Sequence, residues 1–98
     1  MDLQTATTAL RSKVGTSSEL GATLKFDCGG DGVIVIDGAS SPSSVDNTDR
    51  DTDCTIALSV DTLGELMSGE LNPTTAFMTG RIKVSGDMGV ALKLQSVF

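Results

Sequence analysis

The C-terminal half of the chain carries the pattern that most limits the fold. Residues 53–98 predict a strand, two short helices, a second strand and a final helix. Their apolar side chains are flexible aliphatic ones (Leu, Met, Val, Ile), and Phe77 and Phe98 are the only aromatic residues in this stretch. This composition leaves almost no room for a polar active site, and it suits the lining of an adaptable apolar pocket.

Cap residues and glycines mark the ends of the two short helices. Asp61 is predicted to cap the first helix, and Gly69 closes it. Asn72 and Pro73 open the second helix, since proline is well tolerated at the first helical position, and Gly80 ends it. We therefore expect both helices to be short and well delimited.

The final helix, which Asp87 is expected to start, is unusually apolar. Apolar residues occupy nearly its whole circumference: Met88, Val90, Ala91, Leu92, Leu94, Val97 and Phe98. A helix of this kind needs cover on more than one side. We expect one side to pack on a sheet and another to meet a ligand, a partner protein or a longer C-terminus.

The N-terminal half predicts a helix, a hairpin and a polar edge. Apolar residues three or four apart predict a helix over residues 3–14. Residues 20–28 alternate as a half-buried strand does, and the glycine-rich residues 29–32 predict a turn. The apolar run 33–36 predicts a strand that is covered on both faces. Residues 39–53 predict a long loop or a solvated edge strand.

Length and charge narrow the function. A chain of 98 residues predicts a single domain over residues 1–98. A net charge of −6 argues against nucleic acid and against a permanent electrostatic dock on an anionic membrane. A brief hydrophobic contact with a membrane stays open, and we expect a monomer, with a dimer as the alternative. The start of the chain lacks a basic segment followed by an apolar one, so we expect no signal peptide and a cytoplasmic protein.

The inventory of reactive side chains argues against catalysis. The chain has no histidine, which removes the commonest general base and most metal sites. Cys28 and Cys54 are expected to be free, partly buried thiols, and we expect no metal and no cofactor. The acidic segment 46–53 resembles a calcium loop only in part, because Cys54 and Val60 stand where such a loop needs glycine and glutamate. It is predicted to be solvated.

Several motifs of the C-terminal half occur together in one known family. They are DCTI at 53–56, MSGELNP at 67–73, AFMTGRIKVSGDMG at 76–89 and ALKLQ at 91–95. With these motifs the chain resembles the sterol carrier protein 2 domain, also called non-specific lipid-transfer protein. The resemblance implies an α/β (α+β) fold, with a five-stranded mixed sheet and helices packed on one face. Between sheet and helices it implies a hydrophobic tunnel for fatty acids, fatty acyl-CoAs, phospholipids or sterols.

The resemblance also implies which residues line the tunnel. Carried over by position, they are Ile56, Leu58, Leu66, Met67, Leu71, Phe77, Met78, Ile82, Met88 and Leu92, with Gln95 as a polar group nearby. Spacing alone favours ordinary core for the same Met and Leu residues. The sequence departs from many relatives at its end, Ser96-Val97-Phe98, which is not a peroxisomal tripeptide. The chain also stops soon after the last helix, so a more open tunnel mouth is expected.

Three functions are compatible with these patterns to different degrees. The resemblance favours non-catalytic lipid binding and transfer with broad specificity. The alternative is an accessory or dimerisation domain with a packed core that serves a partner lipid-metabolising enzyme. A hydrolase of acyl thioesters is disfavoured, because Ser or Cys without any His is a poor nucleophile.

Overall fold

The computed structural model describes residues 2–14, 21–39 and 44–93, and it contains one five-stranded mixed sheet. The strands are β1 (Thr23–Asp27), β2 (Val33–Asp37), β3 (Ser44–Asp46), β4 (Cys54–Ala57) and β5 (Lys83–Gly86), in the spatial order β3-β2-β1-β4-β5. The helices are α1 (Leu3–Val14), α2 (Val60–Ser68), α3 (Pro73–Met78) and α4 (Met88–Lys93), and a short 3₁₀ turn (Gly29–Asp31) joins β1 to β2. β1 and β4 are parallel, and the other neighbouring pairs are antiparallel. The predicted α+β class and mixed sheet are confirmed.

The strand register creates one apolar face. Phe26 of β1 pairs with Ile34 of β2 on one side and with Ile56 of β4 on the other. All three side chains are buried, and they share one core with residues from all four helices. The helical residues of that core include Ala6, Leu10, Leu63, Leu66 and Val90. The helices therefore pack on this inner face of the sheet, as predicted.

The opposite face is covered by the connection between β3 and β4. Lys25 and Val35 are register partners and lie on this outer face, because their neighbours along each strand face the core. The Lys25 Nζ lies 2.9 Å from Asp49 Oδ1, and the backbone N–H of Thr23 donates to Asp53 Oδ2 at 3.0 Å. The loop thus crosses the outer face, where Val35 is fully buried. This confirms the prediction that β2 is covered on both faces.

Helix α2 begins earlier than the sequence pattern suggests. Its N-cap is Ser59, whose Oγ accepts a hydrogen bond from the Thr62 N–H at 3.1 Å. The prediction that Asp61 is the cap is wrong, because the helix already begins at Val60. Asp61 instead lies in the first turn, where a negative charge favours the helix dipole.

The other predicted helix ends agree more closely with the structure. Gly69 caps α2 in the left-handed conformation, with a φ of 85° that suits glycine. Asn72 caps α3 through its Oδ1, which accepts from the Thr74 N–H at 2.8 Å. The C-cap of α3 is Thr79 rather than Gly80, which follows it with a φ of 76°. Cap chemistry thus placed these helix ends to within a residue.

Both cysteines are free, as predicted, and both are buried rather than partly buried. Burial raises the pKa of the Cys28 thiol to about 11, and the charges of Asp31 and Asp27 act in the same direction. Burial also raises the pKa of Cys54, with a further contribution from the charge of Asp87. Both thiols are therefore poor nucleophiles at neutral pH.

The raised pKa of Cys28 predicts a loss of stability in base. The unfolded chain releases this proton near pH 9.0, whereas the folded chain holds it to about pH 11. The free energy of unfolding should therefore fall as the pH rises through this interval, as measured by urea unfolding. Cys28→Ala should make that part of the curve shallower. The raised pKa of Cys54 adds a decline from the same starting pH, and the raised pKa of Lys25 adds another above pH 10.5. Curves that run parallel in the two proteins would rule out Cys28 as the cause.

Candidate functional site

An apolar cavity of about 210 Å³ lies between the inner face of the sheet and helices α2, α3 and α4. Its lining residues are Phe26, Ile56, Leu66, Pro73, Thr74, Phe77, Ile82, Val84, Met88, Ala91 and Leu92. Among these described residues, Thr74 is the only one with a polar side-chain group. The cavity can therefore hold hydrocarbon, but it offers almost nothing for the recognition of a charge.

Three strands build the floor of the cavity. Phe26 of β1 and Ile56 of β4 are register partners, and Val84 of β5 pairs with Ile56 on its other side. Phe26 is fully buried, so its ring closes the bottom of the cavity. The floor depends on the parallel pairing of β1 with β4, two strands that lie far apart in the sequence.

Helix α4 forms one wall of the cavity, and its surroundings explain why it is apolar on several sides. The Asp87 side chain caps it as predicted, since Asp87 Oδ1 accepts from the Gly89 N–H at 2.8 Å. Val90 is buried in the core, whereas Met88 and Leu92 line the cavity and remain substantially exposed. One side of α4 thus packs on the sheet, and another borders the cavity and solvent.

Helix α3 forms the opposite wall with few anchors. Ala76 is its only buried residue, while Phe77 lines the cavity with half of its surface exposed. The Ala76 carbonyl accepts from the N–H groups of Arg81 and Ile82, at 2.9 and 3.3 Å. The Arg81 guanidinium forms an ion pair with Glu65 of α2. These contacts hold Ile82 against the cavity and tie the segment after α3 to α2.

The structure distributes the predicted lining residues over several places. Ile56, Leu66, Phe77, Ile82, Met88 and Leu92 surround the cavity. Met67 and Leu71 line a neighbouring hollow that shares Leu66, Pro73 and Thr74 with the cavity. Leu58 is instead part of the packed core, and Met78 is 80% exposed. Gln95 lies outside the described residues. Contact of these residues with a lipid stays a prediction.

Five lining residues escaped the sequence analysis: Phe26, Pro73, Thr74, Val84 and Ala91. Val84 could have been found, since it lies two positions after Ile82 and alternate residues of a strand share a face. Phe26 is part of the alternating pattern of β1, but nothing local shows that β1 lies beside β4. Ala91 and Thr74 are small residues, and no sequence pattern indicates that they line a cavity.

The fold and the cavity define a small α+β domain with an internal apolar hollow. The model of the SCP-2 sterol transfer family matches residues 5–98. This chain therefore belongs to that family.

Known proteins agree with this assignment. Sterol carrier protein 2 of Gallus gallus is 49% identical over 51 residues, which are 52% of this chain and 9% of that protein. This chain thus spans about a tenth of the length of the curated relatives it matches. The crystal structure of sterol carrier protein 2 like 2 from Aedes aegypti has a TM-score of 0.81 at 17% identity, covering 98% of this chain and 95% of that one. The solution structure of palmitated SCP2L2 from the same organism has a TM-score of 0.73 at 20% identity, covering 99% and 94%.

Proposed function

We propose that this chain binds lipids by their hydrocarbon tails in the cavity and carries them without catalysis. The observation that supports this proposal most is the lining of the cavity. Among the described residues, that lining has a single hydroxyl group and no charge. A charged head group has no partner in such a lining and would lose its hydration there. The tail therefore enters, and the head stays near the rim formed by Phe77, Met88 and Leu92.

The comparisons support the same class of ligand. Membership of a sterol transfer family points to apolar cargo, and the palmitated neighbour has been solved with a fatty acyl group. Fatty acids, fatty acyl-CoAs, phospholipids and sterols are all candidates. We infer broad specificity, because an apolar pocket discriminates only about 1–3 kcal/mol per methylene.

The cavity is small for a long acyl chain. Its volume of about 210 Å³ lies below the ~300–1,000 Å³ of typical ligand pockets. A long acyl chain therefore needs more room. Helix α3 has one buried side chain, as α4 does, whereas α2 has four, and α3 also borders the neighbouring hollow. We infer that α3 moves outward when a long chain binds. The adjoining hollow beside Met67 and Leu71 is where the additional length would extend.

Support for a carrier rather than an enzyme comes from the reactive groups. The sequence has no histidine to activate a nucleophile. The thiols of Cys28 and Cys54 are buried, have raised pKa values and are not among the described lining residues. The alternative of an accessory domain with a packed core has less support, because the core contains this cavity.

A thermal-shift series tests the proposal. A tail that fills the cavity removes apolar surface from water, so it should stabilise the fold. Delipidated protein should melt higher with lauric, palmitic and stearic acids and with their CoA esters. At a hundredfold excess over Kd the gain is about 2.7 kcal/mol, or roughly 10–20 °C for a chain of this size. An unchanged Tm with every lipid, well above micromolar concentration, would contradict the proposal.

A further inference from the structure

The apolar cavity and the hollow beside it are separated by three shared residues. Leu66, Pro73 and Thr74 line both spaces, so they form the boundary between them, which we name the partition. The cavity measures about 210 Å³ and the hollow about 400 Å³. The cavity alone is smaller than ordinary ligand sites of ~300–1,000 Å³, whereas the two spaces joined would fall within that range.

Leu66 is the firmly packed side of the partition. It is buried and belongs to the core that the sheet shares with the helices. Helix α2, which contains it, also buries Val60, Thr62 and Leu63, and both of its ends are capped. The position of Leu66 is therefore set by the packing of its own helix, whatever occupies the cavity.

Pro73 and Thr74 form the other side of the partition, which is held less firmly. They are the first two residues of α3, a helix that Ala76 anchors in the core. Asn72 Oδ1 accepts a hydrogen bond from the Thr74 N–H at 2.8 Å, so this end of the helix is a closed turn. Pro73 and Thr74 should therefore move together with α3, away from Leu66, when the partition opens.

The hollow beyond the partition offers apolar contacts to a chain that passes it. Met67 and Leu71 line the hollow, and both are partly buried hydrophobic residues that pack against the core. Ser68, Gly69 and Asn72 also line it and are exposed. The hollow is thus apolar on its core side and polar towards solvent, so hydrocarbon that enters it gains burial on one side.

We propose that Leu66 sets the acyl-chain length at which the gain in affinity levels off. A tail that ends at Leu66 fills the cavity while the partition stays closed. A longer tail passes Leu66 only when α3 has moved away from it, and a binding-competent arrangement that is rarely populated lowers the apparent affinity. This inference rests on the proposed function, and it names the residue that limits which fatty acids the cavity favours.

The affinities of octanoic and palmitic acids test the proposal. They are measured by displacement of a fluorescent fatty acid from delipidated protein. Leu66→Ala removes the packed side of the partition, so palmitic acid should gain at least about tenfold over octanoic acid relative to the parent chain. Two further buried methylenes account for this gain at about fourfold each.

Leu63→Ala is the matched control. Leu63 is a described, buried residue of α2 that lies one turn before Leu66 and lines neither space. The same truncation at this position should lower Tm through the cavity that it leaves in the core. It should nevertheless keep the ratio of the two affinities that the parent chain shows.

Ser68→Phe tests the partition from its other side. Ser68 is exposed and lines the hollow but not the cavity, so a phenyl ring there occupies space beyond Leu66. It should weaken palmitic acid about fourfold or more, the worth of one buried methylene, and leave octanoic acid unchanged. Because the position is exposed, this variant decides the question if Leu66→Ala does not fold.

The outcomes separate this inference from the proposed function. An equal ratio of the two affinities in the parent chain, Leu66→Ala and Ser68→Phe would overturn the role of Leu66 and leave lipid binding intact. A gain for palmitic acid in Leu63→Ala as large as in Leu66→Ala would also overturn it, because a loosened α2 would then be the cause. Absence of fatty-acid binding in the parent chain would overturn the proposed function and this inference with it.

Discussion

Gly86→Ala is expected to lower the free energy of unfolding by about 2–5 kcal/mol. Gly86 lies in β5 opposite Cys54 of β4 and has a φ of 88°, where a residue with a Cβ loses about 1–2 kcal/mol. A Cβ at this position would lie 2.5 Å from the Asp53 carbonyl oxygen and 3.2 Å from the Cys54 Cα. These are backbone atoms of the neighbouring strand, so relief requires a shift of the ladder, and overpacking of this kind adds about 1–3 kcal/mol.

Thermal melting of Gly86→Ala beside a matched variant separates the cost of the positive φ from the cost of the clash with the neighbouring backbone. At roughly 4–8 °C per kcal/mol, Gly86→Ala should lower Tm by about 8 °C or more. Gly80→Ala is the control, because Gly80 has a similar φ of 76° but open space where a Cβ would lie. It should lose only the conformational part, about 1–2 kcal/mol. Equal losses in the two variants would contradict the close approach of β4 as the reason for glycine at position 86.

Ala91→Phe is expected to abolish the stabilisation by lipids while raising the Tm of the lipid-free protein. Ala91 lines the cavity from α4 and is partly buried, so a phenyl ring at this position would occupy the space meant for a tail. Filling a cavity commonly adds about 0.5–2 kcal/mol of stability. Ala91→Phe should thus remove the response to lipid while it raises the Tm of the lipid-free protein. A variant that only damaged the fold would lower that Tm.

Ala9→Phe provides the control for that variant. Ala9 lies on the outer side of α1 beside the exposed Thr5 and Thr8, away from the cavity. It adds the same ring to a helix, so its response to palmitic acid in a thermal-shift titration should match that of the parent chain. If Ala91→Phe kept the full lipid response, the cavity would not be the binding site.

The sequence was most informative where a local signal decides the structure. Gly69 and Asn72 mark helix ends through their own backbone and side-chain chemistry, and the structure places both as predicted. Ser59 was missed as a cap, because Ser59 and Asp61 are both good N-cap residues and only the position of the first helical turn separates them. Helix boundaries can thus be predicted from sequence only to within about two residues.

The cavity could be predicted only in part, because its walls are set by tertiary packing. Phe77 lies four residues after Pro73 and three after Thr74, so it shares with them the side of α3 that lines the cavity. Met78 is as apolar as Phe77 but lies about 100° further round the helix, where it is exposed. The floor at Phe26 requires the parallel pairing of β1 with β4, for which no short-range pattern exists.

The location of bound lipid can be measured directly on the four isoleucines of the chain. Ile56 and Ile82 line the cavity, whereas Ile34 and Ile36 lie in the core and are not among its lining residues, so each pair serves as the control for the other. With ¹³C-methyl isoleucine and unlabelled palmitic acid, we predict intermolecular nuclear Overhauser effects from the acyl chain to Ile56 and Ile82, and none to Ile34 or Ile36. Contacts to the core pair alone, or to no isoleucine while the acid is bound, would contradict a tail held between the sheet and helices α2, α3 and α4.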